Sequence, residues 1–244
     1  MDNKYNIYPL AWIGKSQVFM DYVSSASPNV EFLVADFASG EHDRTPSFFL
    51  DLLPKMSPSV PKQTIVYCID IHALRLDSLL GTLEESNVLK NARVVQAKLE
   101  TMDKDARFRP DMIDYLESNV KVMTLLDYHL KTKKFIPSGT FDLGVLNNDM
   151  VGYLHEYYKE YSDAAVALQK VHQSLKKSAL LVVTMPCSLY VVNNIEILET
   201  IGFEFLEGKD IDLENGSISD IDRQTKPQTM SRLGHYSFLI FISK

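Results

Sequence analysis

The chain has 244 residues, 45% of them apolar and 23% charged, with a formal net charge of −7. That size and balance fit one α/β domain, and the acidic excess argues against a surface given over to nucleic acid or membrane. Two cysteines, Cys68 and Cys187, make neither a disulfide framework nor a zinc-ligand spacing; the start Met1-Asp2-Asn3-Lys4-Tyr5 lacks a signal-peptide pattern, and no apolar run reaches the roughly 18 residues of a membrane span, so a cytoplasmic protein is expected.

Short β-rich runs alternate with longer helical patterns, the sign of a parallel sheet covered by helices. After an N-terminal helical extension (1–29), a strand over Val30–Asp36 runs into the small-residue turn Phe37-Ala38-Ser39-Gly40-Glu41. Thr45 and Pro46 read as the N-cap and first helical position of a helix over Ser47–Met56. A second strand, Thr64–Ile69, ends on Asp70 and precedes a helix over Leu76–Glu85; a third strand covers Arg93–Ala97. The stretch from Glu100 to Gly139 reads as an insertion with a helix from about Asp111 to Leu130, expected to form part of a lid over the substrate. Its basic run Lys131-Thr132-Lys133-Lys134 reads as a solvated helix end.

A fourth strand, Thr140–Leu146, stops at Asn147-Asn148-Asp149. Ala164, Leu168, Val171 and Leu175 then recur at helical spacing and place one face against a sheet. Ala179–Thr184 is apolar throughout, as for a strand buried on both faces, and Pro186 ends it. Val191, Ile195, Leu198 and Ile201 mark another helix, with Gly202 placed for a left-handed cap. Phe203–Leu206 and His235–Ile242 are the last strands; no helical pattern separates them, so they are expected to pair antiparallel. The expected architecture is a three-layer, Rossmann-like α/β fold, with a mostly parallel seven-stranded sheet and an antiparallel last strand.

An acid and small residues at the end of a strand suit a nucleoside, and an acid closing the next strand can accept from ribose hydroxyls. Asp36 and Asp70 occupy those places. The structural alternatives are a strand-end acid capping its loop for Asp36, and a helix N-terminal acid for Asp70. Asn147 and Asn148 serve either as turn residues or as site residues. The histidines at 42, 72, 129, 155, 172 and 235 show no metal-ligand spacing, so no metal site is expected; His42 and His155 lie near strand ends.

The order of elements with its reversed last strand resembles the class I S-adenosylmethionine-dependent methyltransferases over Val30 to Ser243. The family's acid-and-glycine motif reads Asp36, Ala38, Gly40 and His42 here, with only the middle glycine kept. Alanine suits the first of these positions if its backbone φ is negative. Cys68-Ile69-Asp70-Ile71-His72 resembles the family's ribose-binding motif, and Gln96-Ala97-Lys98-Leu99-Glu100 occupies the adenine-side position with a lysine. Leu143-Gly144-Val145-Leu146-Asn147-Asn148-Asp149 stands where amino-methylating members carry Asn-Pro-Pro-Tyr, without the prolines or the aromatic. The resemblance implies S-adenosylmethionine as cofactor, held by Asp36, Phe37, Ala38, Gly40, Asp70, Ile71, Leu99, Glu100 and Asn147. It puts Asn148 and His155 on the acceptor side. It further implies methyl transfer to a small-molecule or protein acceptor. Three alternatives stand beside it: a catalytically inactive binding or scaffold subunit, a nicotinamide-dependent dehydrogenase, and an RNA cytosine-5 methyltransferase with Cys187 as nucleophile.

Overall fold

A computed structural model describes residues 8–27, 30–57, 60–61, 63–119, 123–157, 161–186, 191–224 and 234–244. The first half runs α1 (Tyr8–Ala11), α2 (Gln17–Ser25), β1 (Phe32–Phe37), α3 (Arg44–Ser47), a π turn (Phe48–Leu52), α4 (Leu53–Met56), β2 (Thr64–Asp70), α5 (Ala73–Glu85) and β3 (Ala92–Ala97). Then come β4 (Ala106–Phe108), α6 (Pro110–Asn119), α7 (Leu125–Thr132), β5 (Phe141–Leu146), α8 (Met150–Tyr157) and α9 (Tyr161–Ser174). The chain closes with β6 (Leu175–Met185), α10 (Val191–Ile201), β7 (Phe203–Asp212), β8 (Ile218–Asp220) and β9 (His235–Ser243).

The strands form one sheet in the order β4-β3-β2-β1-β5-β6-β9-β7-β8. The central strands β3, β2, β1, β5 and β6 are parallel. β9 lies between β6 and β7 and runs antiparallel to both, as the missing crossover helix requires. The expected seven-stranded, mostly parallel sheet is corrected: nine strands pair in a mixed sheet, with β4 and β8 added antiparallel at its two edges. Each added strand has three residues, too few for an alternating pattern to register in the sequence.

Every residue of β1 is buried, and β6 is buried from Ala179 to Met185, as expected where both faces of a parallel sheet are covered. The chain steps outward through β1, β2 and β3, then returns to place β5 on the other side of β1. Such a reversal leaves a crevice beyond the carboxyl ends of the strands.

The helix expected over Ser47–Met56 begins earlier, at Arg44, and carries a π turn in its middle. Asp43, not Thr45, stands at its N-cap, with its carboxylate accepting from the Ser47 and Ser86 hydroxyls at 2.6 and 2.7 Å. The single helix expected over 111–130 is two helices, α6 and α7. Thr124 starts the second through a capping box: its hydroxyl accepts from the Asp127 N–H at 2.9 Å, and Asp127 accepts from the Thr124 N–H at 3.1 Å. The same Asp127 is wholly buried and accepts from Arg93 Nε of β3 at 3.1 Å and from the Tyr67 hydroxyl of β2 at 2.9 Å. Arg93 also donates to the Lys90 and Ala92 carbonyls, so this buried pair has the extra hydrogen bonds that make such burial tolerable.

A candidate cofactor cleft

The carboxyl ends of β1, β2 and β3, together with α8, enclose a cleft of about 420 Å³, a volume suited to a nucleoside-sized ligand. Ala38 comes from the turn after β1, and Ile69, Asp70, Ile71 and His72 from the end of β2. Arg75 reaches in from α5. Ala97, Lys98 and Leu99 form the facing wall, and Met150, Tyr153 and Leu154 close the cleft from α8. Ile71 is 47% exposed, so an apolar surface that a flat base could cover stands open at this wall.

Asp70 is 5% exposed and joins two loops. Its Oδ2 accepts from the Gly40 N–H at 2.9 Å and its Oδ1 from the His72 N–H at 2.8 Å. A carboxylate has about four acceptor sites, so each oxygen keeps capacity for a ligand hydroxyl. Gly40 has φ +67° with nothing near its missing Cβ, so its glycine answers a need of backbone shape and not of space. Ala38 does not meet the condition of a negative φ: it sits at φ +58°, a left-handed conformation that is costly for a residue with a Cβ. Asn148 and Asp149, at the end of β5, also have φ +58°. Three of the six non-glycine residues with positive φ among the described residues therefore stand at the ends of the two strands that flank the crevice.

Of the residues singled out in the sequence, Ala38, Asp70, Ile71 and Leu99 line the cleft, and the others take different places. Asp36 is 3% exposed within the sheet; burial pushes its pKa up to about 7, the Thr45 hydroxyl partly offsets this, and the Asp70 charge adds to it. Phe37 belongs to the core, edge-to-face with Phe141 at 6.0 Å. Glu100 pairs with cleft-lining Lys98 at 3.1 Å. His155 follows Leu154 on α8, and its partial burial lowers its pKa. Cys187 lies outside the described residues. None of the lining residues comes from 100–139.

Asn147 and Asn148 sit in a polar group at the ends of β5, β6 and β9. The Asn147 carboxamide oxygen accepts from the Thr184 hydroxyl, and Thr184 Oγ1 accepts from the Asn148 N–H at 3.0 Å. The Tyr236 hydroxyl, 5% exposed as a residue, lies 2.9 Å from Thr184 Oγ1 and 3.0 Å from Asn148 Oδ1. The oxygens of this group are thus engaged with one another.

Sequence reasoning missed α8 as a separate helix, and with it Met150, Tyr153 and Leu154. Two signals were available: the i, i+3, i+4 spacing of these residues, and Asp149 just before them, whose carboxylate accepts from the Gly152 N–H at 3.3 Å as an N-cap does. Among the described residues, no group of three or more His, Cys, Asp or Glu side chains is placed to hold a metal ion, and no helix is long and apolar enough to cross a membrane.

No protein family and no curated protein matches the chain in sequence. Its structure is similar to that of a putative sarcosine dimethylglycine methyltransferase from Galdieria sulphuraria, at 9% identity and TM-score 0.53, covering 96% of this chain and 84% of the other. It is also similar to a SAM-dependent methyltransferase from Methanosarcina mazei, at 9% identity and TM-score 0.53, covering 93% and 97% of the two chains. A third likeness is to the cyclase SpnF, at 11% identity and TM-score 0.50, covering 93% and 80%. The fold is that of the class I S-adenosylmethionine-dependent methyltransferases. A cyclase among its likenesses illustrates that this fold alone does not decide the chemistry.

Proposed function

We propose that the protein binds S-adenosylmethionine in this cleft and transfers its methyl group to a small-molecule or protein acceptor. The observation that carries the reading is Asp70, which closes β2 at the cleft and is tied to the Gly40 turn. Its remaining lone pairs suit the two ribose hydroxyls, and Ile71 and Leu99 supply apolar surface on the two walls for the base. Lys98 is a donor and offers no acceptor to an exocyclic amine, so the base is held mainly by its faces.

The bound cofactor supplies a methyl group on a sulfonium, already activated for displacement. What the protein contributes is alignment of the acceptor, the largest help such a transfer needs. The prolines and the aromatic that hold a planar amine in amino-methylating members are missing after Asn147, which counts against nucleobase amines as acceptors. The acidic net charge likewise favours a small molecule or a protein over a polynucleotide. Residence in the cytoplasm is part of the same reading and rests on the cysteine usage.

Incubation with methyl-tritiated S-adenosylmethionine and a cell extract tests the proposal, with label expected in the small-molecule or protein fraction. A second reading, a binding or scaffold subunit that has lost catalysis, is favoured by the alanine held at φ +58° in the cofactor turn. Cofactor binding without any label transfer supports that second reading and removes the first.

A further inference from the structure

Arg109 lies between β4 and α6, in the segment inserted after β3, and does not line the cleft. Its guanidinium nevertheless connects two elements that carry lining residues, α5 and β3. Nε and Nη2 donate to the two carboxylate oxygens of Asp77 on α5, at 2.8 and 3.0 Å. Nη1 donates to the Gln96 carboxamide oxygen on β3 at 2.9 Å, and Gln96 Nε2 in turn donates to the Ile71 carbonyl at 3.3 Å. Asp77 stands two residues after Arg75, and Gln96 immediately before Ala97; Arg75, Ile71 and Ala97 all line the cleft. One side chain therefore connects α5, the loop after β2 and the end of β3.

We propose that Arg109 is a positioning residue that sets the width of the slot between Ile71 and the Ala97–Leu99 wall, and so sets affinity for the nucleoside that enters it. The bidentate fork to Asp77 fixes the plane of the guanidinium, which leaves Nη1 directed at Gln96. Arg109 and Asp77 are partly exposed, 20% and 41% as side chains, so the pair contributes little to global stability. Its effect is geometric. Without the guanidinium, Gln96 is free to turn, the Ile71 carbonyl loses its fixed donor, and the slot is no longer held at one width. The inserted segment then serves as a brace behind the cleft.

The inference rests on the nucleoside reading of the cleft, and calorimetric titration with S-adenosylhomocysteine separates the two. Arg109→Met should bind roughly tenfold more weakly than the wild-type protein, the scale of mutations that alter a site without touching its ligand. Gln96→Leu, which leaves the Arg109–Asp77 pair in place, should weaken binding similarly. The double variant should add little further, because both changes break one connection. Arg109→Lys, which reaches Asp77 but cannot hold Gln96 at the same time, should bind with intermediate affinity. Amide exchange should quicken at 71–75 in Arg109→Met and stay unchanged in β1 and β5. If Arg109→Met does not fold, Gln96→Leu decides alone. Folded variants that bind within about twofold of wild type overturn the positioning role. A wild-type protein that does not bind at all overturns the nucleoside reading instead.

Discussion

Asp70 accepts the Gly40 amide across 2.9 Å, so the acid closing β2 shapes the turn that leaves β1. One carboxylate both faces the cleft and holds its neighbouring loop. Asp70→Ala should therefore weaken S-adenosylhomocysteine binding by about 1 to 3 kcal/mol, as for lost hydrogen bonds to a charged group, and lower the unfolding temperature as well. Calorimetry and thermal unfolding read the two effects separately. A lower melting temperature with unchanged affinity would show that Asp70 is only a strap.

Ala38 offers a gain. Its left-handed backbone costs an L-residue about 1 to 2 kcal/mol; glycine removes that cost, but its greater freedom in the unfolded chain offsets part of the gain. Ala38→Gly is expected to stabilise the protein by about 1 kcal/mol in urea unfolding, or about 3 °C in unfolding temperature. A loss of stability would argue against φ +58° at this residue.

The buried pair between Arg93 and Asp127 should be intolerant of single changes. Asp127→Ala leaves the guanidinium without its carboxylate, removes the Tyr67 and Thr124 partners, and should cost about 3 to 5 kcal/mol. Replacing both ions with apolar residues, Arg93→Met with Asp127→Leu, should cost less than Asp127→Ala alone. Denaturant titration of the variants checks the order, and a milder single variant would contradict it.

Asp36 gives stability a pH dependence of defined sign. Its pKa is raised from 3.8 to about 7, so the folded protein holds a proton there that the unfolded chain releases. This contribution to stability is fully present below about pH 4 and is lost as pH rises through about 7, a change of at most about 4 kcal/mol. Asp36→Asn should remove that part of the slope. Parallel unfolding curves for the two proteins between pH 4 and 8 would show that the carboxyl titrates normally.

Much of this fold is written in local pattern. β1, β5 and β6 are legible because strands buried on both faces are apolar along their length, and the antiparallel β7–β9 pair follows from the lack of a helix between them. β4 and β8 are not legible, because three residues carry no period. The break between α6 and α7 was present in Thr124 and Asp127 as a capping box, but a continuous helical pattern masked it. At the cleft, residue type marked Asp70 and Ile71, yet not the φ of Ala38, which depends on the path the turn must follow. Nor could sequence separation show that Arg109 reaches Asp77, 32 residues away, because that contact exists only after β4 folds back along β3.

Calorimetric titration of the wild-type protein with S-adenosylhomocysteine tests the cofactor reading most directly. Saturable binding at one site per chain, displaced by S-adenosylmethionine, is the expected result. No detectable heat at ligand concentrations of about 1 mM, with the protein folded, would contradict it.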